Sequence, residues 1–503
     1  MDFVSLFDSL KLIIPEITIS ITLLIVLILD LIFNENKKIV WIFSVLGIVL
    51  ALIFTVGEFG AQNYAFTPNK GSHNFGLVTI DSFGAFFKVL ILISTLLILY
   101  FSNKSDEILN TGKRQGEFYI LMFGMVLGMM FLTSASDLIM IYLSMELLSL
   151  PSYVLAGFLK LRERNSEASL KYLLYGAVSS GFMLFGISLI YGLTGTTNLH
   201  LINLYLQIPQ MNYITFALAI IMIFAGIGFK ISAAPFHFWT PDVYEGAPIS
   251  ITAFLSVASK AAGFAVLIRL IKTAFVLGVN EQGSWILSDI FNWQIILAAV
   301  SILTMTLGNF SALWQNNLKR MLAYSSIAHA GYMLLGIAVL STQGVIAILI
   351  YFLFYMIMNI GAFFIVSLIS DKMHTEDIHE YNGLGYKSPW LAALLAIFLI
   401  SLTGLPPTAG FIGKLYLFIA LVDSNMITLA VIALLNTVVS LYYYIRVIKH
   451  MYLKKPDGEF ETFKPNFSNL TFSFILAAAV LVFGIYFTPI ANLAKQSISI
   501  LGL

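Results

Sequence analysis

The chain is a series of long apolar runs, each close to the length that a membrane requires. About 20 consecutive apolar residues make a helix that spans a bilayer. Because no linker or polar domain interrupts the series, we expect an all-α polytopic membrane protein with a single membrane domain over residues 1–503. By the length rule the sequence predicts about fourteen spans, at residues 12–33, 39–57, 82–102, 117–133, 136–159, 167–192, 212–235, 249–272, 293–311, 320–340, 344–370, 389–422, 425–452 and 470–491.

Two of the predicted spans are interrupted, and span 7 is expected to continue past its break to about Tyr244. Span 7 carries Lys230 before Pro235, and span 12 carries Lys414 after Pro406–Pro407. Proline removes a backbone donor and breaks a helix. The opposite order of lysine and proline, in spans that cross in opposite directions, favours an inverted repeat. The expected units are helices 1–3 at about 12–102, a first five-helix repeat at about 117–272, a second at about 293–452, and helix 14 at about 470–491.

Five polar residues lie near the middle of their spans. They are Glu146, Lys230, Lys260, His329 and Lys414. A charge at the bilayer centre costs roughly 2.5–3.5 kcal/mol on insertion scales and commonly marks an ion pathway. A buried lysine whose carboxylate partner moves away changes its proton affinity, so these residues predict a proton relay. The alternative is a set of fixed buried ion pairs that only hold helices together.

Other polar residues in or beside the spans carry a weaker signal. His237 lies at the break in span 7, where it either caps a carbonyl or carries protons. Lys88, Lys171 and Arg269 lie nearer span ends, where long side chains can extend to the headgroups, so we expect their roles to be mostly structural. We expect Asp137, at the start of span 5, to be solvated.

Composition limits the chemistry that this chain can perform. Hydrophobic residues make up 59% of it and charged residues 11%, against roughly a quarter charged in soluble proteins. The absence of cysteine excludes disulfides, thiolate metal sites and iron–sulfur clusters, and the seven histidines show no metal-ligand spacing. A net charge of +1 argues against a nucleic-acid partner. We therefore expect no cofactor and no metal in this chain, so energy must come from a partner or an ion gradient.

Lysine and arginine are distributed unevenly between the two sides. Loops after odd-numbered spans hold most of them, and the opposite side holds only Lys11, Lys70, Lys272 and Lys495. Since cytoplasmic loops are enriched in these residues, both termini are expected on the outer side of a plasma (inner) membrane.

Three stretches resemble one known family. They are KISAAPFHFWTPDVYEGAP at 230–248 with LSVASK at 255–260, NLKRMLAYSSIAHAGY at 317–332, and GLPPTAGFIGKLYLF at 404–418. These long motifs are similar to those of the antiporter-like membrane subunits of respiratory complex I, the NADH–quinone oxidoreductase. The resemblance covers essentially the whole chain. Lys414 resembles the lysine of the subunit N and subunit L branches, and DVYEGAP and AHAGY are most like the subunit N branch.

The resemblance implies a function and its partners. It implies proton translocation coupled to electron transfer from NADH to quinone, with NADH, FMN, iron–sulfur clusters and quinone in partner subunits. It also implies that Glu146 and Lys230 are a coupled pair, that Lys260 connects the two halves, and that Lys414 is the exit-side lysine. The partners expected are the other membrane and peripheral subunits and the lipid bilayer. The alternative is a subunit of a multi-subunit cation/proton antiporter that has no redox partner.

Overall fold

The computed structural model describes residues 3–33, 36–67, 75–159, 163–207, 212–281, 283–455 and 462–499, so Lys70 lies outside the described residues. Within these ranges, 13 helices are long and apolar enough to cross a membrane. A further span is broken into two shorter helices, which confirms the predicted all-α polytopic architecture. The membrane helices are α1 (Ile14–Ile32), α2 (Lys37–Val56), α3 (Ser82–Ser102), α4 (Gln115–Ser134), α5 (Leu138–Ala156), α6 (Glu163–Thr194), α7a (Tyr213–Ile231), α7b (Trp239–Gly246), α8 (Ile249–Phe275), α9 (Trp293–Leu313), α10 (Leu318–Ala338), α11 (Thr342–Met373), α12a (Pro389–Thr403), α12b (Ala409–Asp423), α13 (Ile427–Leu453) and α14 (Phe467–Ile485).

Short elements join these helices at their ends. Two antiparallel hairpins, β1 with β2 and β3 with β4, were not predicted, because strands of three or four residues show too little alternation to be recognised. Their strands are β1 (Gln62–Ala65), β2 (Val78–Asp81), β3 (Val276–Val279) and β4 (Trp285–Leu287). The short helices are Phe3–Leu12, Asp106–Leu109, Gly112–Arg114, Leu199–Tyr205, Ile378–Tyr381, Leu384–Lys387 and Thr488–Gln496.

Both predicted helix breaks are present. α7a ends at Ile231 and α7b begins at Trp239, on either side of a cis Ala234–Pro235 bond. α12a ends at Thr403 and α12b begins at Ala409, on either side of a cis Pro406–Pro407 bond. The break of α7 keeps Ser232, Ala233 and Ala234 buried, whereas the break of α12 exposes Leu405, Pro406 and Pro407 at the surface of this chain.

Corresponding helices of the two predicted repeats pack against corresponding neighbours. α4 packs on α5 and α8, and α6 packs on α5 and both halves of α7; α9 packs on α10 and α13, and α11 packs on α10 and both halves of α12. This recurrence supports the repeat, whose inversion and exact bounds stay a prediction. Rotation preserves chain order, so Lys230 on the first half-helix and Lys414 on the second are not equivalent positions. Their order relative to proline is therefore no evidence for the symmetry.

The most buried helices carry the predicted site. Every residue of the most apolar part of α8 is buried, as are nearly all of those in α10, whereas α14 exposes most of its surface. In α8 a π-helical turn at Leu255–Ser259 directly precedes Lys260. Such turns interrupt the regular hydrogen-bond ladder and are frequent at functional sites.

Candidate functional site

Lys230 lies in the last turn of α7a, inside a cage of aromatic rings. Its ammonium is 5.4 Å from the centre of Tyr172, 5.7 Å from Tyr153 and 5.5 Å from Phe229. Tyr172 stacks on Trp239 of α7b with ring centres 4.4 Å apart, so both halves of the broken helix shape the cage. Among the described residues Lys230 Nζ has no hydrogen-bond acceptor. The ring faces therefore stabilise its charge in place of a hydrogen bond.

Glu146 lies on α5 at the edge of an exposed apolar face. The carboxylate is half-buried, and Leu143, Leu147 and Leu150 beside it are exposed. Its charge acts on Lys230, but no N–O distance of 4.0 Å or less joins the two in the described part of the chain. Direct or water-bridged pairing of Glu146 with Lys230 stays a prediction.

Lys260 is fully buried in α8 and contacts α10. Its Nζ donates to the backbone oxygen and to Oγ of Ser326, each at 2.8 Å. Gly263, one turn further along the same face of α8, lets α7a approach: a methyl group there would meet Ile231 at 2.7 Å and Cβ of Lys230 at 3.5 Å. The helices that carry Lys230 and Lys260 are thus in direct contact.

His329 lies at the centre of α10 between the second and third lysines. Its Nδ1 is 2.6 Å from the hydroxyl of Tyr351, and its Nε2 is 3.4 Å from the hydroxyl of Tyr444. The charges of both Lys260 and Lys414 act on the imidazole. With hydroxyls at both nitrogens, the ring can accept a proton on one side and donate one on the other.

Lys414 uses a carbonyl that the helix break leaves free. Its Nζ donates to the backbone oxygen of Thr403, the last residue of α12a, at 2.7 Å. In a continuous helix that oxygen would accept from residue 407, which is Pro407 and has no N–H. The ammonium also lies 4.6 Å from the ring centre of Tyr332. Gly404, whose φ is +87°, leaves room for the lysine side chain, because a methyl group at position 404 would lie 2.8 Å from Cδ of Lys414.

His237 is separate from this chain of contacts. It is 7% exposed at the break of α7, with its ring stacked on Phe238 at 4.5 Å. No hydrogen bond joins its Nδ1 to another group in the ranges that the structure describes. Those ranges also contain no group of three His, Asp or Glu side chains that could hold a metal ion.

Comparison with known proteins identifies the family. The family model described as "NADH:quinone oxidoreductase/Mrp antiporter, TM" matches residues 135–440, a range that includes all five mid-span polar residues. A "NADH-quinone oxidoreductase subunit N 2" of Chloroherpeton thalassium is 46% identical, over 97% of this chain and 94% of that protein. A "NADH-quinone oxidoreductase subunit N" of Chlorobium chlorochromatii is 44% identical, over 97% of this chain and 95% of that protein. The chain belongs to the subunit N family of NADH-quinone oxidoreductases.

A solved structure shows the same fold. A chain of respiratory complex I from Thermus thermophilus superposes with a TM-score of 0.76 at 29% identity, over 96% of this chain and all of that one. The family resemblance of the three sequence motifs is thereby confirmed over nearly the whole length.

Two basic residues of this subunit N family member are held differently from the sequence-based expectation. Lys88 is fully buried, with its Nζ 2.6 Å from Glu16 and 3.0 Å from Glu58. Arg269 is 1% exposed and bonds Asp81 through two nitrogens, at 2.7 and 2.9 Å. Neither side chain extends to the headgroups, because partners distant in sequence neutralise both inside the protein.

Lys171 belongs to an ion-pair network that sequence reasoning missed. It lies 2.6 Å from Asp242 of α7b. Arg320, at the start of α10, contacts Asp242 and Glu245 at 2.7 Å each. The network joins helices of both predicted repeats. The sequence signal for these ion pairs was the PDVYEG stretch, which places two acids in a short helix.

A polar cavity opens beside this network. Its volume is about 970 Å³, and acidic side chains from several elements line it. They include Asp106, Glu107, Glu245, Asp371 and Glu376. The cavity lies at the end of the bundle where α7b ends and α10 begins, so water can reach the network from that end.

Polar residues at the opposite end are also buried. Asp137 is 4% exposed and accepts a hydrogen bond from Oγ1 of Thr197 at 2.7 Å, so the prediction that it is solvated is wrong. His200 contacts the hydroxyl of Tyr64 at 2.9 Å. Burial, with a contribution from the charge of Arg269, lowers the pKa of His200 to about 4, which keeps the ring neutral.

Proposed function

We propose that the chain is a proton-translocating membrane subunit of an NADH–quinone oxidoreductase, in which Glu146, Lys230, Lys260, His329 and Lys414 carry protons. Other membrane and peripheral subunits hold the redox chemistry, namely NADH, FMN, iron–sulfur clusters and quinone. The near full-length similarity to proteins named subunit N supports the assignment of the complex. Lys230, Lys260 and Lys414 support the assignment of the pathway.

One observation carries the pathway. Lys230, Lys260 and Lys414 have no carboxylate within 4.0 Å in the described part of the chain, whereas Lys88 and Arg269 are tightly paired. A fixed counter-ion holds a base in its charged form. Lysines stabilised only by aromatic rings, a serine and a carbonyl can lose and regain a proton at a small cost in free energy. A scaffold of fixed ion pairs would not need lysines with this property.

The contacts support an order of transfer. A change of charge at Glu146 alters how strongly Lys230 holds its proton. Helix contact at Gly263 leads to Lys260, whose Ser326 partner is on the helix of His329. Tyr351 and Tyr444 beside His329 extend the protonatable chain towards α12b and Lys414.

The Thr403 carbonyl and the ring of Tyr332 then receive the charge at Lys414. His237 has a lesser role in this scheme, at the entrance to the break of α7.

The proposed location is a plasma (inner) membrane with both termini outside. Since the chain has no cysteine, a single introduced thiol reports sidedness without background. Val279→Cys and Tyr386→Cys replace residues 60% and 62% exposed in loops assigned to opposite sides. An impermeant maleimide should label only Val279→Cys in intact cells and both after permeabilisation. Labelling of Tyr386→Cys alone would reverse the orientation.

The competing function is cation/proton exchange without a redox partner. The purified complex that contains this chain, reconstituted in vesicles, should acidify or alkalinise the lumen only when NADH and a quinone are supplied. A complex that reduces no quinone with NADH, yet exchanges an imposed sodium gradient for protons, would establish the antiporter function instead.

A further inference from the structure

Three charged side chains from the first three spans meet at one end of the bundle. Lys88 Nζ lies 2.6 Å from Oε1 of Glu16 and 3.0 Å from Oε2 of Glu58. Lys88 and Glu16 are fully buried, and Glu58 is 7% exposed. We call these residues the Glu16–Lys88–Glu58 triad.

The triad is built where helices begin and end together. Glu16 is in the first turn of α1, and Lys88 is in the early part of α3. Glu58 follows Gly57, the residue that caps the end of α2. The same end holds β2 and the Asp81–Arg269 pair. The uneven distribution of lysine and arginine assigns this end to the outer side. None of the three residues belongs to the chain of contacts that leads from Glu146 to Lys414.

The charges of the triad do not balance. Two carboxylates and one ammonium carry a net charge of −1 when all are ionised. An unbalanced buried charge is costly. Oε2 of Glu16 has no hydrogen-bond donor among the described residues, which leaves a buried acceptor open. Asp81 adds further negative charge near Glu58, although Arg269 neutralises most of it.

We propose that Glu16, Glu58 and Lys88 form a proton-binding site in which the carboxylate of Glu58 takes up one exchangeable proton beside Lys88 and Glu16. Binding places the proton on a carboxylate oxygen, Lys88 remains an ammonium, and the net charge of the triad goes from −1 to zero. This proposal rests on the proposed function and orientation, which put the site at the outer end of the bundle, away from the central lysines.

The titration range supports a site that works near neutral pH. Burial raises the pKa of Glu58 to about 7 from 4.5, with Glu16 and Asp81 adding to the rise and Lys88 opposing it. A carboxyl whose pKa is higher in the folded than in the unfolded protein stabilises the fold fully below pH 4.5. That contribution is lost as the pH rises through about 7.

Infrared difference spectroscopy of the purified, assembled complex tests the site. Spectra recorded at pH values on either side of neutrality should contain a protonated-carboxyl C=O band at the lower pH that disappears at the higher one. Glu58→Gln and Glu16→Gln should each abolish that band, because either change leaves a balanced pair of one acid and one base. Asp8→Asn, which removes an exposed carboxylate at the same end, should leave it unchanged.

Persistence of the band in both glutamine variants would overturn the proposal and make the triad a fixed brace. Should one glutamine variant fail to assemble, the other carries the test, and Glu58→Asp should assemble and retain a titrating band. Lys414→Arg separates this proposal from the proposed function, since the triad should titrate normally in that variant whether or not pumping is lost. A normal band without pumping in the wild-type complex would contradict the function alone.

Discussion

Each of the three central lysines is held by a different uncharged neighbour. Rings surround Lys230, the backbone and hydroxyl of a serine bind Lys260, and a carbonyl freed by proline binds Lys414. A desolvated cation over an aromatic face gains about 2 kcal/mol, and a hydrogen bond to a charged group about 1.5–3 kcal/mol. These gains are comparable to the insertion cost of roughly 2.5–3.5 kcal/mol. These neighbours therefore offset a large part of the cost of burying each charge.

The cage around Lys230 is testable through Tyr172. Tyr172→Phe keeps the ring face and the stacking on Trp239, so turnover and pumping should stay near wild type. Tyr172→Leu removes the face, and a loss of about 1.4 kcal/mol would slow both roughly tenfold. NADH oxidation and proton pumping are measured in membranes with equal complex content. Equal rates for the two variants would show that the ring does not stabilise the lysine.

At the scale of elements, the breaks leave free backbone polar groups that a continuous helix would use in its own hydrogen bonds. The end of α12a exposes the Thr403 carbonyl, and the glycine that follows gives α12b room to bring Lys414 against it. α8 instead stays continuous, with a π-helical turn directly before Lys260. The prolines made both breaks predictable from the sequence, whereas the π-helical turn depends on packing in the most buried helix and has no local signal.

Gly404→Ala tests the break of α12. The left-handed φ of +87° costs a side-chain-bearing residue about 1–2 kcal/mol, and the added methyl group would displace Lys414. Pumping should fall several-fold more than complex content. Gly192→Ala is the matched control, since its methyl group would meet nothing within 4 Å and its helix should tolerate it. Equal effects of both changes would remove the special role of Gly404.

At the scale of the whole molecule, the sequence predicted where the spans and the buried polar residues lie. It did not predict which residues from different helices pair with each other. Apolar length located most span ends closely, although the last span ends at Ile485 and not at residue 491. Mid-span charge located Lys230, Lys260, His329 and Lys414 in the interior. The pairing of Lys88 with Glu16 or of Arg269 with Asp81 could not be predicted, because it depends on contacts between elements distant in sequence. Long side chains near span ends can reach either headgroups or buried acids, and only tertiary packing decides between them.

The arrangement of charges separates bases that are paired with acids from lysines that have no carboxylate partner among the described residues. Paired bases lie at the two ends, in the Arg269–Asp81 pair and the Asp242 network, and join neighbouring helices. Lys230, Lys260 and Lys414, which have no carboxylate partner among the described residues, lie in α7a, α8 and α12b between those ends. A proton relay requires that these lysines lose their protons during turnover, because a fixed positive charge carries none.

Lys414→Arg tests that claim most directly. Guanidinium keeps the charge but does not deprotonate at a usable pH. Membranes that carry this variant should contain normal amounts of complex, while NADH-driven pumping and quinone-linked turnover fall roughly a hundredfold, as expected when a positioned proton-transfer group is lost. Lys449→Arg, at an exposed position on α13, should change neither rate. Normal pumping by Lys414→Arg at normal complex content would show that charge alone suffices and would contradict the proton relay.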